Sequence, residues 1–306
     1  MSTATLAPPD DERKRAAIEE ARVRAREASA LLGPGIAGPT AIGVPARRFL
    51  ALIWTISVSE FKLRFYGSAL GYFWQLMRPL LLFGVLYLFF TQFVRFSNVH
   101  LYPVVLLQGI ILFTFVTECT QGGVSSLVDK ETLVRKIQFP RLAVPMSIVL
   151  TALFNLTLNY VIVILFLVIQ GGRPHWTWLY EFPPLMFALI AFSSGAAVLL
   201  SALYVRFRDV RPIWEVILQM LYFVSLILIP VESVPSHTLR QILVMNPFAA
   251  IVQQLRHAVI DPGAPSVTDV LSSDWLVLVP IAILVAIVVV GYVTFDRMAP
   301  KVAEEL

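Results

Sequence analysis

The sequence predicts an all-α integral membrane protein with six transmembrane helices, an N-terminal amphipathic interface helix and external re-entrant helices between spans five and six. Three observations predict it. Of 306 residues, 58% are hydrophobic and 14% charged, and the mean hydropathy is +0.77; a water-soluble surface cannot be built from that. The apolar residues gather into charge-poor runs of roughly 20, the length that crosses a bilayer core. Lys and Arg gather in alternate connections between those runs, as the positive-inside rule requires. The same distribution excludes a basic nucleic-acid-binding domain, because 24 Lys+Arg stand against 20 Asp+Glu and lie almost wholly outside the apolar runs. A single cysteine, Cys119, permits no intrachain disulfide and no cysteine-built zinc cluster, and four scattered histidines offer little to a metal, so no metal site is expected.

The elements follow in order. The first ten residues hold no apolar core ahead of a cleavage site, so no secretory signal peptide is expected. After Pro8-Pro9, residues 10–32 read as a charged helix, with Asp10/Lys14, Asp11/Arg15 and Glu20/Arg24 in the favourable i,i+4 order. Its six acids and six bases cancel, which suits either a solvated arm or a surface that docks on a cytoplasmic partner. Gly33, Pro34, Gly35, Gly38, Pro39, Gly43 and Pro45 then make a linker, so residues 1–45 form a first unit. Residues 46–66 form a second. There Phe49, Leu52, Ile53, Ile56 and Leu63 share one helical stripe and Leu50, Trp54, Phe61 and Phe65 another, with Glu60, Lys62 and Arg64 near the end. This suits a helix in the headgroup region anchored by Trp54, the plainer alternative being a lead-in to the first span.

Residues 67–306 hold the spans. The first is 79–94, extended backward through 67–77 with Arg78 intervening; the others are 96–117, 142–172, 182–205, 216–231 and 276–295. Nineteen Lys and Arg fall before the first span, in the second and fourth connections and after the sixth span, against Arg95, Arg173, Arg240 and Arg256 on the other side, which puts both termini in the cytoplasm. Residues 239–260 are apolar enough to want burial, yet carry Asn246-Pro247, Gln253, Gln254, Arg256 and His257. Lipid would strand those polar groups, so two short helices dipping into the outer leaflet, buried against protein or lining a wet cavity, are expected, an ordinary extracellular loop being the alternative. No glycine is followed by lysine, so the phosphate-cradling loop G-x-x-x-x-G-K-[ST] is absent and no ATPase activity is expected of this chain. Glu118 is the acid nearest to being intramembrane, read as a snorkelling or helix-capping carboxylate. Asn155 and Asn159, one turn apart, are expected to join helices by hydrogen bonds.

Four stretches carry a family resemblance. Residues 60–79, EFKLRFYGSALGYFWQLMRP, resemble the entry to the first span of ABC-2 type permeases, the membrane subunits of ABC exporters for lipid-linked polysaccharide and teichoic acid. Phe115-Val116-Thr117-Glu118 with Leu133, Val134, Arg135, Lys136, Phe139, Pro140 and Arg141 resembles the end of the second span and the cytoplasmic coupling segment. Arg206-Phe207-Arg208-Asp209 resembles the short fourth loop, and Asn246, Pro247 and Arg256 fall in a stretch similar to the external re-entrant helices. Two departures stand out: Arg78 occupies a position where such permeases often carry a small polar residue, and Lys130-Glu131-Thr132 replaces an Asn-rich stretch.

The resemblance implies a homodimer in a bacterial inner membrane, with two cytoplasmic P-loop ATPase subunits that supply ATP and Mg, this chain holding no cofactor. It implies that residues 133–141 act as the lever, where composition alone reads a positive-inside anchor, and that Arg208 and Asp209 flank the same ATPase surface, where the residues alone read equally as a solvated turn. A glycan path would use aromatic faces and few charges; Phe73, Trp74, Tyr87, Phe90, Tyr222 and Phe223 are the candidates, although aromatics in spans also serve packing. An exporter of a drug or small lipid is the nearer alternative, and an ion-coupled carrier or membrane enzyme the distant one.

Overall fold

The computed structural model describes residues 45–66, 71–94, 99, 101–131, 140–172 and 177–298, and all its regular structure among these is helical. The charged arm and most of the linker lie outside the described residues.

Helix α1, Ala46–Phe65, starts after Pro45 and ends where Tyr66 turns extended, with Lys62 and Arg64 in the last turn, where cations suit the helix dipole. It is packed on protein along much of its length. The Ser57 hydroxyl lies 2.9 Å from the Ser147 carbonyl, and Trp54 and Phe61 both meet Phe154 edge-on at 5.5 Å.

Helix α2, Gly71–Phe89, continues as a π turn over Phe90–Val94. Pro79 in its interior has no N–H, so the carbonyl of Gln75 loses its helical partner. Only 6% of the most apolar stretch of α2 is buried. Helix α3, Tyr102–Asp129, is the central post, with 72% of its apolar stretch buried. It starts later and runs further than the expected 96–117. Pro103 sets its first turn. Glu118, whose charge set the expected end at Thr117, lies inside the helix, and Thr120 and Ser126 beyond it are buried and bond to their own helix's carbonyls at 2.7 Å, so polar composition does not stop the helix there.

Helices α4, Ala143–Ile169, and α5, Thr177–Arg206, flank α3. Helix α6, Val210–Val224, has 15 residues, about 22 Å at 1.5 Å per residue and short of the bilayer core. The expected span 216–231 is thus half helix and half irregular chain. Leu226 has a positive φ of 57°; Leu226, Ile227 and Leu228 are buried, and the Leu228 carbonyl accepts from the Tyr102 hydroxyl at 3.0 Å. Apolar chain that is buried in protein, with its carbonyl satisfied, need not be helical.

Where two short helices were expected over 239–260, the chain forms α7, His237–Val244, and α8, Pro247–Leu255, the latter continuing as a π turn to Ile260. Helix α9, Val267–Leu271, closes this region. The break falls at Asn246, whose side-chain oxygen accepts from the Phe248 amide at 3.1 Å ahead of Pro247 at the first helical position. Helix α10, Leu278–Met298, packs on α5 through small residues. A methyl group on Gly195 would sit 2.8 Å from the Val288 α-carbon, and one on Gly291 would overlap the Gly195 carbonyl oxygen. Close backbone approach of this kind replaces the hydrophobic drive that lipid cannot supply between helices. Five helices, α2 with its π turn, α3, α4, α5 and α10 with its leading turn, are long and apolar enough to cross a membrane among the described residues.

Candidate functional site

A cleft of about 570 Å³ opens between α2, α3 and α6. Each helix turns one face to it at the same i, i+3, i+4, i+7 spacing. Helix α2 presents Gln75, Arg78, Pro79 and Leu82; α3 presents Thr114, Thr117, Glu118 and Gln121; α6 presents Glu215, Leu218, Gln219 and Tyr222. Phe113 and Phe223 complete the lining. Amides, hydroxyls and carboxylates thus face an open space within an apolar bundle, as polar groups at membrane depth must.

Glu118 ties this cleft to its surroundings. Its Oε1 accepts from Gln75 Nε2 on α2 at 2.6 Å, and its Oε2 accepts from Asn155 Nδ2 on α4 at 2.7 Å. Arg64 of α1 lies 4.0 Å from the same oxygen. Asn159 Nδ2 donates to the Asn155 carbonyl at 2.9 Å, supporting that turn. Glu118 sits well inside α3, which runs on to Asp129, so it caps no helix end. It joins four elements, a role hidden from the sequence because its partners lie 37 and 43 positions away.

Of the aromatic candidates, Tyr222 and Phe223 line the cleft, and Tyr222 meets Phe113 edge-on at 4.8 Å. Phe73 and Trp74 are exposed on α2 and do not line it. Tyr87 stacks on Phe83 at 5.6 Å, and Phe90 is buried in the main core beside Phe89. The stripe of Gln75, Thr114, Thr117, Gln121 and Gln219 escaped sequence reasoning, although polar residues at helical spacing inside apolar runs were the available signal.

Of the coupling candidates, Leu133, Val134, Arg135, Lys136 and Phe139 lie outside the described residues. Pro140 is buried, and Arg141 is half-buried beside it at the start of α4, where burial lowers the guanidinium's proton affinity. Arg208 and Asp209 are exposed in the turn between α5 and α6, with the Arg208 guanidinium 5.1 Å over the Tyr204 ring. On α1, Lys62 is exposed while Glu60 pairs with Lys130 at the end of α3. In the expected re-entrant region, Asn246 caps α8 and Pro247 is buried. Arg256 is 3% exposed and forks onto Glu232 at 2.8 and 2.7 Å. Among the described residues no group of three or more His, Cys, Asp or Glu is arranged to hold a metal.

Comparison with known proteins places this architecture. The family model described as ABC-2 type transporter matches residues 51–260. The O-antigen export system permease protein RfbA of Myxococcus xanthus is 27% identical over 206 residues, covering 67% of this chain and 78% of that protein. A Klebsiella pneumoniae protein of the same name is 23% identical over 255 residues, covering 83% of this chain and 95% of its own. The polysialic acid transport protein KpsM of Escherichia coli is 27% identical over 213 residues, covering 67% and 79%.

Proposed function

Since the chain belongs to the ABC-2 type transporter family, we propose that it is the membrane-spanning permease subunit of an ATP-driven exporter that moves lipid-linked polysaccharide outward across the inner membrane. The relatives named for O-antigen export and polysialic acid transport support that substrate class over a drug or small lipid. The geometric observation that carries the reading is the cleft. Threonine hydroxyls, glutamine amides and the Tyr222 and Phe113 rings share one space, a set that can exchange hydrogen bonds and stacking contacts with successive sugars.

In this reading α6 with residues 225–230 makes a sixth crossing, and α7 and α8 form the external re-entrant pair. The sign of the loop charges keeps both termini cytoplasmic. Two P-loop ATPase subunits supply work with ATP and Mg, because this chain has no phosphate-cradling loop. Residues 133–141 and the Arg208-Asp209 turn receive that work, and Trp54, Glu60, Lys62 and Arg64 set α1 against the same side. A second copy of the chain covers part of the apolar surface that α2 and α10 leave exposed. Asn246, Pro247 and Arg256 hold the external region together as the path opens.

Depleting the chain in its host and measuring lipid-linked glycan on each side of the inner membrane tests this. Accumulation on the cytoplasmic side, reproduced by an ATPase-dead partner, is the expected result. Normal glycan distribution together with a drug or small-lipid phenotype would overturn the substrate class.

A further inference from the structure

We propose that Arg78 makes the cleft an anion-recognition site that receives the phosphate group of a lipid-borne substrate. The inference rests on the exporter reading and adds the group that the permease grips. Arg78 lies five residues into the candidate span Phe73–Phe93, roughly 7 Å along the helix axis. A guanidinium at that depth is costly unless a counter-ion or a wet cavity receives it. It is exposed and lines the cleft, and it makes neither an ion pair nor a side-chain hydrogen bond with any described residue.

The other charged groups at the cleft are Glu118 and Glu215, and each is already answered. Glu118 has Arg64 at 4.0 Å and two amides at 2.6 and 2.7 Å. Glu215 has Arg211 at 3.5 Å on its own helix. Among the described residues, the charge at the cleft left without a partner is that of Arg78, and the group that would answer it is an anion. Arginine's planar fork matches phosphate oxygens bidentately, and such bonds strengthen where Leu82 and Leu218 help to exclude water. Gln121 and Gln219, exposed on the facing helices, offer amides to hydroxyls beside that phosphate. A phosphate that joins a lipid tail to a glycan would place its tail along apolar α2 and its sugars toward those amides.

The test uses the full chain in nanodiscs of phosphatidylcholine, with geranylgeranyl diphosphate as the probe and geranylgeraniol as its uncharged counterpart. The diphosphate is expected to bind at least about 10-fold more tightly than the alcohol, the scale of one charge-assisted hydrogen bond. Arg78→Gln removes that preference and Arg78→Lys restores part of it, with unfolding temperatures near wild type. Equal binding of the diphosphate by wild type and Arg78→Gln overturns the inference. Abolition of binding when a third of the lipid is replaced by phosphatidylglycerol assigns the site to bulk phospholipid and overturns the substrate assignment. In cells, export that depends on the chain but ignores Arg78→Gln sinks the inference and spares the exporter reading. Depletion without any glycan defect, beside intact Arg78-dependent binding, sinks the exporter reading and spares the anion site.

Discussion

Glu118 and Arg256 show two ways of keeping a charge inside an apolar molecule. Glu118 is satisfied by two amides on separate helices and by a guanidinium at the edge of ion-pairing distance. Replacing it with alanine leaves the Gln75 and Asn155 amides without their acceptor. A loss of about 1–3 kcal/mol is expected, read as a lower unfolding temperature of the purified protein in detergent. Glu118→Gln keeps the volume but turns an amide hydrogen toward one of its two donors, so an intermediate loss is expected in the same measurement. Among the described residues Arg256 has a single answering group, the carboxylate of Glu232. Glu232→Ala leaves a guanidinium buried and unpaired, at a cost of about 3 kcal/mol, whereas changing Arg256 and Glu232 together to Met and Ala costs less than Glu232→Ala alone. A double-mutant cycle of unfolding temperatures checks this, and a double variant less stable than Glu232→Ala would contradict it.

Helices α5 and α10 meet backbone to backbone, and their glycines are read by what a side chain would strike. Gly291→Val drives a branched side chain into the Gly195 carbonyl and should cost about 1–3 kcal/mol. Gly84 on α2 has open space around it, so Gly84→Ala should be neutral or stabilising by up to about 1 kcal/mol; the two variants belong in one thermal-unfolding series. Helix α9 starts with a reciprocal cap in which the Asp269 amide donates to the Ser266 hydroxyl at 3.2 Å and the Ser266 amide to the Asp269 carboxylate at 2.8 Å, the hydroxyl donating to that carboxylate as well. Those hydrogen bonds hold the Asp269 carboxyl below its ordinary value of 3.8. The cap's contribution is therefore complete above that value and is lost as pH falls through the lower folded one. Amide exchange protection of residues 267–271 should drop on acidification in wild type, and in Asp269→Asn it should be low at every pH.

At the scale of the whole molecule, α3 is the post on which α2, α4, α5, α6 and the π turn after α8 pack, while α2 and α10 keep most of their apolar surface outward. Helix α1 is tied to the end of that post by the Glu60–Lys130 pair. If ATPase movements reach the cleft through α1, breaking this tie uncouples hydrolysis from export. Glu60→Lys should lower glycan export at unchanged membrane abundance, and the exchanged pair Glu60→Lys with Lys130→Glu should recover part of it. Surface-glycan quantification beside immunoblotting of the membrane fraction provides the measurement, and equal export by all three would remove α1 from the coupling route.

The sequence by itself determined the membrane class, the helical content, the approximate positions of five long helices and the pair of short helices over 239–260, within which Asn246-Pro247 lies. These rest on local physics: a bilayer demands about 20 apolar residues, and Asn-Pro both caps and restarts a helix. It also held the family resemblance in residues 60–79 and the later stretches, which the match over residues 51–260 bears out. Only the tertiary structure decided where α3 ends, that the expected fifth span is a short helix followed by buried irregular chain, and which polar side chains share a cleft. Hydropathy treats lipid and protein interior as one medium, so it cannot tell Thr120 buried between helices from a residue at a membrane surface. Nor can it find that Gln75, Asn155 and Arg64 converge on Glu118, because that convergence depends on how α1, α2 and α4 are rotated around α3.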